Sequence, residues 1–281
     1  MLNIESFKDN KIIFTYILAV LLSTWIFAFL IFSNPNVGLG LFGIVMFFPA
    51  IVALIFNRFI HKKSFKSMFS CIFVKPNLKS MVFSIGYPLI FIATCGIIAL
   101  ITGLGDFNLR NSTLTYIIIS SIIIILVNLF IVFGEEYGWR GYLLPKLTIV
   151  TGKTKATIIL GLIWAFYHFP LLYLLAKTTG IGNPLLIATI QALGVFFITF
   201  AFSYSYYISK GSLIPVLFLH STWNTINVLI LGDIYTNKSG IIVGNIPIIN
   251  GEGVFGLILG GILVLWFINQ FNKSEKYTNN I

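Results

Sequence analysis

Apolar residues run along this chain in unbroken stretches, separated by short segments rich in Lys, Asn, Pro and Gly. Each stretch is close to the ~20 residues that a helix needs to cross the hydrocarbon core of a bilayer. A membrane-spanning barrel would instead alternate apolar and polar positions, and no such alternation is present. The pattern predicts an all-α, polytopic membrane protein with eight helical spans. They lie near Lys11–Ser33, Gly38–Ile60, Met81–Leu104, Thr115–Gly134, Thr154–Ala176, Pro184–Ser209, Leu213–Leu231 and Val254–Phe271. The first stretch is longer than a signal-peptide core, and "FLIFSNPN" after it reads as a turn, so it is expected to be a retained helix. No soluble domain, repeat or low-complexity tract interrupts the pattern. Residues 1–281 are expected to form one transmembrane domain.

Composition agrees. Hydrophobic residues make up 58% of the 281 residues and charged residues 9%, against roughly 25% charged in soluble domains. The net charge of +10 is informative through its distribution. With eight spans the connections alternate sides. Arg110, Lys177 and Lys238 fall on one side, and the other fifteen of the 18 Lys and Arg, together with both termini, fall on the other. The positive-inside rule makes that second side cytoplasmic. The expected location is the plasma membrane, multi-pass, with both termini in the cytoplasm and the bilayer as a partner. This topogenic bias accounts for the basic charge without nucleic acid. In "RFIHKKSFKSMFSCIFVKPNLK", Phe65, Met68, Phe69 and Ile72 recur at helical spacing beside Lys62, Lys63 and Lys66. The segment reads first as a topogenic cluster and, compatibly, as an interfacial helix on anionic lipid. Cys71 and Cys95 fall in different environments, and no disulfide or Cys-rich metal spacing is expected.

Candidate chemistry comes from the few ionisable residues inside the spans. Such residues are costly in hydrocarbon and usually mark function. Glu135 and Glu136 follow the apolar run "YIIISSIIIILVNLFIVF", and His168 and His220 sit in apolar runs of two other spans. One lone His is most simply an interhelical hydrogen bond, whereas two His and a Glu pair on three spans point to a shared site. Residues four apart share a helix face. Glu136 and Arg140 therefore form a supporting pair, which leaves Glu135, turned about 100° away, as the candidate base. Trp164 shares a face with His168, and His220 with Asn224, while Pro170 should perturb the helix beyond it. A carboxylate with two imidazoles can bind zinc and activate water, with Glu135, His168 and His220 as ligands. The same groups can also activate water without metal, with Asn224 supporting an oxyanion. Both routes fit peptide hydrolysis, and proton relays and transporters use the same residue types. No HExxH or GxSxG is present. The "GLGD" at Gly103–Asp106 matches an aspartyl-protease pattern but lacks the second Asp in a neighbouring span.

Three motifs, in order, resemble a known family. "EEYGWRGYLLPKL" resembles the EExxxR motif of the CPBP (CAAX protease and bacteriocin-processing) intramembrane proteases, which include the CAAX prenyl endopeptidases of the Rce1 type. "WAFYH" resembles the family's FxxxH with Trp164 for Phe, and "HSTWN" its HxxxN/D. The resemblance covers a core of about 115–231. It implies an eight-helix endopeptidase with a polar intramembrane active-site cavity open to the cytosol and a membrane-associated peptide or protein as substrate. Glu135 and His168 would activate water, and His220 and Asn224 would hold the oxyanion or contribute to a metal site. Zinc and a metal-free glutamate mechanism are both implied. The alternative is a non-catalytic family member acting in bacteriocin immunity or as a regulatory scaffold. A transporter ranks third, since no inverted repeat is visible.

Overall fold

The computed structural model describes residues 2–109 and 113–279. Arg110, which enters the charge count, lies outside them. The protein is an all-α polytopic membrane protein. Among the described residues, eight helical stretches are long and apolar enough to cross a bilayer. Helix α1 (Leu2–Ile31) is the first span. The second is built from α2 (Pro35–Leu41), a 3₁₀ segment (Phe42–Phe47), α3 (Phe48–Ile55) and a π-turn (Phe56–Ile60). The short helices α4 (Phe65–Met68) and α5 (Ser70–Phe73) lead to the third span, α6 (Leu78–Ile101), and to strand β1 (Gly105–Phe107). The fourth span comprises α7 (Leu114–Gly138), a π-turn (Trp139–Leu143) and α8 (Leu144–Thr151). The fifth to seventh spans are α9 (Lys153–Thr179), α10 (Pro184–Ile208) and α11 (Ile214–Leu231). Strand β2 (Ile242–Gly244) and α12 (Ile246–Ile249) precede the last span, α13 (Val254–Asn279).

Span starts follow local chemistry. Asn34 and Asn183 each place a side-chain oxygen on the first free N–H groups, and each is followed by Pro at the first helical position. Both features suit a helix start, because the capping oxygen satisfies an orphan donor and Pro lacks one. Helix α9 ends on Gly180 in the left-handed region, φ 69°, a conformation that costs glycine little.

Three expectations need correction. The fourth span does not end at Gly134: the helix runs on to Gly138 and, through the π-turn, to Thr151. The acid pair is therefore inside a continuous helix, stabilised by partners that sequence spacing only partly shows. Pro170 does not interrupt α9, which is helical across it, since neighbouring spans hold a membrane helix in place where proline removes a bond. The basic segment is two single-turn helices rather than one interfacial helix. Phe65 and Phe73 are exposed and Met68 is buried. Asn57, Tyr137 and the Met68 carbonyl tie this segment to the fourth span: Asn57 donates to the Tyr137 hydroxyl (3.1 Å), which donates to Met68 O (2.8 Å). Cys71 and Cys95 are both free thiols, and burial raises the pKa of Cys71 above its ordinary value.

The fourth span packs closely on the second. A methyl group added at Gly134 would lie 2.5 Å from the Met46 carbonyl oxygen, and one added at Gly138 would overlap Pro49. Two glycines four residues apart thus let two backbones meet, which is how membrane helices gain packing without a hydrophobic driving force. On the side of the molecule away from the basic segments, β1 and β2 pair antiparallel with Asp106 opposite Val243. Asp106 is exposed there, far from the role an aspartyl protease would give it.

Candidate active site

Glu135 and Glu136 leave α7 on different faces and meet different partners. The Arg140 guanidinium donates from Nη1 to both oxygens of Glu136, at 3.0 and 3.1 Å. This is the pair that the four-residue spacing predicts, and both side chains are fully buried. Arg140 also lies 4.2 Å from the ring centre of Trp164 and 4.7 Å from that of Phe202. Cation–π contact of this kind is worth ~2 kcal/mol or more when desolvated. It compensates in part for Nε and Nη2, which have no hydrogen-bond partner among the described residues.

A partner that sequence spacing does not reveal is His220. Its Nδ1 lies 2.7 Å from Oε1 of Glu136. A carboxylate held by arginine only accepts, so Nδ1–H must donate, and Nε2 is the ring nitrogen left for other contacts. Glu136 thus joins two helices: it anchors Arg140 one turn further on and fixes the imidazole of the seventh span.

Glu135 is 2% exposed and accepts a 2.7 Å hydrogen bond from the Trp164 indole N–H. No cation pairs with it at four-residue spacing, and the indole supplies a neutral donor that orients the carboxylate without neutralising it. The aromatic residue at the start of "WAFYH" is therefore a functional neighbour of the acid, and a Phe there would donate nothing. His168 Nδ1 donates to the Trp164 carbonyl (2.9 Å). Its Nε2 is 3.9 Å from Glu135 Oε1, too long for a direct hydrogen bond. Asn224, one turn beyond His220, is half-buried.

Glu135, His168, His220 and Asn224 line one cavity of about 340 Å³ between the second and the fourth to seventh spans and the connection before the eighth. Its remaining wall is mainly apolar, including Val45, Ile131, Leu171 and Ile198. Sequence reading missed Glu252. That residue comes from the connection before the last span, lines the same cavity and accepts a 2.8 Å bond from the Trp223 indole. Its only sequence signal was an acid in "SGIIVGNIPIINGEG", an unusually apolar connection. Asn227 and Asn250, bonded to each other at 2.8 Å, hold that connection against α11.

The donor set for zinc can be tested on this geometry. Zinc requires three protein donors around one ion. Among the described residues no group of three His, Cys, Asp or Glu side chains is placed to hold a metal ion. His168 and His220 are each held through Nδ1, by the Trp164 carbonyl and the Glu136 carboxylate, which leaves Nε2 of each ring uncommitted, as in metal-bound imidazoles.

Residues 117–226 match the family model described as Type II CAAX prenyl endopeptidase Rce1-like. That match covers the motif-bearing segment and less than half of the chain. The matched segment contains all three motifs and the seven residues singled out in them, so the resemblance read from the motifs is borne out there. A stretch of 39 residues is 44% identical to CAAX prenyl protease 2 of Methanococcus maripaludis and spans 14% of each chain.

Proposed function

We propose that the protein is an intramembrane endopeptidase that hydrolyses a peptide bond of a membrane-associated peptide or protein, with Glu135 as general base. The observation that carries this reading is the contrast between the two acids. Glu136 is consumed by Arg140 and His220, whereas Glu135 faces the cavity with one neutral donor.

A water between Glu135 and His168 gives its proton to the Glu135 carboxylate as its oxygen attacks the scissile carbonyl. His168, fixed through Nδ1, presents Nε2 toward the same space and orients that water. Negative charge develops on the former carbonyl oxygen. The Asn224 amide is a donor for it, and His220, held in place by Glu136, faces the same space. The proton on Glu135 then passes to the leaving amine, which restores the carboxylate. No step passes through a metal. The Rce1-like match supports the reaction class, and a CAAX-type, lipid-bearing substrate is the specific version of the proposal.

The test is Glu135→Gln, which keeps size and shape but removes the base. Cleavage should fall by about 10²–10⁴-fold while the protein accumulates normally. Unchanged cleavage at equal protein level would remove Glu135 from the mechanism. A biological role that persists fully in that variant would favour the scaffold reading.

A further inference from the structure

Glu252 is the acid that the hydrolytic reading leaves without a task. It lines the cavity together with Glu135, His168 and His220, and its position is fixed from several directions. Asn227 Oδ1 accepts from the Gly251 backbone N–H and Asn250 Oδ1 from that of Glu252, each at 2.9 Å. A methyl group added at Gly194 would lie 3.1 Å from Glu252 Cα, so the backbone of α10 also comes close to the acid. The Trp223 indole donates to Oε1, and Tyr235 is a second neutral neighbour of the carboxylate. Glu252 is thus held as Glu135 is, by an indole N–H that orients the charge without neutralising it. Trp223 belongs to "HSTWN", so that motif supplies a holder for this acid in addition to His220 and Asn224.

The charge around Glu252 is one-sided. Among the described residues no Lys or Arg lines the cavity, whereas Glu135, Asp233 and Glu252 do. Asp233 is consumed by its own turn, through the Tyr235 backbone N–H and the Thr236 hydroxyl. A carboxylate in a mainly apolar wall is costly without a cation, and peptide hydrolysis generates one at each turnover. Water adds its hydroxyl to the scissile carbonyl carbon, and the C–N bond breaks. The remaining proton of the water reaches the amine through Glu135, and the proton of the new carboxylic acid follows it. One fragment then carries a carboxylate and the other an ammonium. We infer that Glu252 is the seat of that ammonium, the new amino terminus of the leaving fragment. The ligand class is an alkylammonium flanked by apolar side chains, and its origin rests on the hydrolytic reading of the site. The same negative charge repels the carboxylate fragment, which is released first.

Binding is read without turnover, from the melting temperature of the purified protein with three probes. These are leucyl-leucine amide, its N-acetyl derivative and the analogue with a hydroxyl in place of the amine. The measurement is made at about pH 6.5, where an α-amino group, with an ordinary pKa of about 7.7–8.0, is charged. A hydrogen bond to a charged group corresponds to about tenfold or more in affinity. The free amine should therefore stabilise the wild type at roughly tenfold lower concentration than either neutral probe. Glu252→Gln should erase that difference, and Asp233→Asn should keep it. Glu252→Asp, which keeps the charge but shortens the side chain, should weaken the preference and serves where Glu252→Gln does not accumulate. Equal effects of the three probes on the wild type, no effect included, would overturn the inference. So would an amine preference that survives in Glu252→Gln, stays unchanged in Glu252→Asp, or is lost in a stable Asp233→Asn protein. No cleavage enters the measurement, so each of these failures leaves the Glu135→Gln result standing on its own.

Discussion

At the residue scale, the acid pair divides its work by direction rather than by residue type. One turn of helix places Glu136 against Arg140 and His220 and points Glu135 into the cavity. Removing one partner of a buried ion pair costs about 3–5 kcal/mol, because the other charge stays unpaired. Glu136→Gln and Arg140→Ala should therefore lower membrane level and melting temperature, with activity lost as a consequence. Glu136→Gln combined with Arg140→Met should recover part of the stability, since both charges go together; a double variant less stable than either single one would contradict this. Trp164→Phe keeps a ring under Arg140 but removes the donor to Glu135. Hydrogen bonds to charged groups are worth ~1.5–3 kcal/mol, so cleavage should drop about tenfold or more at unchanged protein level. Steady-state kinetics beside a thermal melt separates the two outcomes.

At the scale of elements, the fourth span shows what the sequence could and could not convey. The Glu136–Arg140 pair was legible because four-residue spacing is a property of the helix itself. The His220–Glu136 bond was not, since it depends on how two spans 84 residues apart are turned toward each other. Glu252 was hidden for the same reason, sitting in a connection rather than a span interior. The helix extension past Gly134 was missed because the charged residues there looked like an end; their burial against Trp164 and Phe202 makes them part of the span. Gly134 and Gly138 explain why "FGEEYG" carries small residues on either side of the acids: the backbone of the second span lies against them. Overpacking at such a contact costs ~1–3 kcal/mol. Gly138→Val should lower the melting temperature and disturb cleavage, whereas Gly40→Val, with open space around it, should not. Equal stability of the two variants would remove the close contact from the account.

At the scale of the whole molecule, the eight spans were readable from hydropathy because hydrocarbon requires every backbone group to be satisfied within the helix. What hydropathy cannot give is the lateral arrangement that turns three motifs into one cavity. That arrangement also bears on the metal. An active preparation should contain no stoichiometric metal and should tolerate strong chelators, and elemental analysis checks this directly. Stoichiometric zinc that disappears in His168→Ala together with activity would show that the donors rearrange to bind it. The account rests most heavily on Glu135. The measurement that tests it most directly is a quantitative comparison of new peptide ends in membranes carrying wild-type or Glu135→Gln protein at matched levels. Peptide ends that appear with the wild type and are lost with Glu135→Gln are the predicted result. The same ends at the same abundance in both membranes would contradict it.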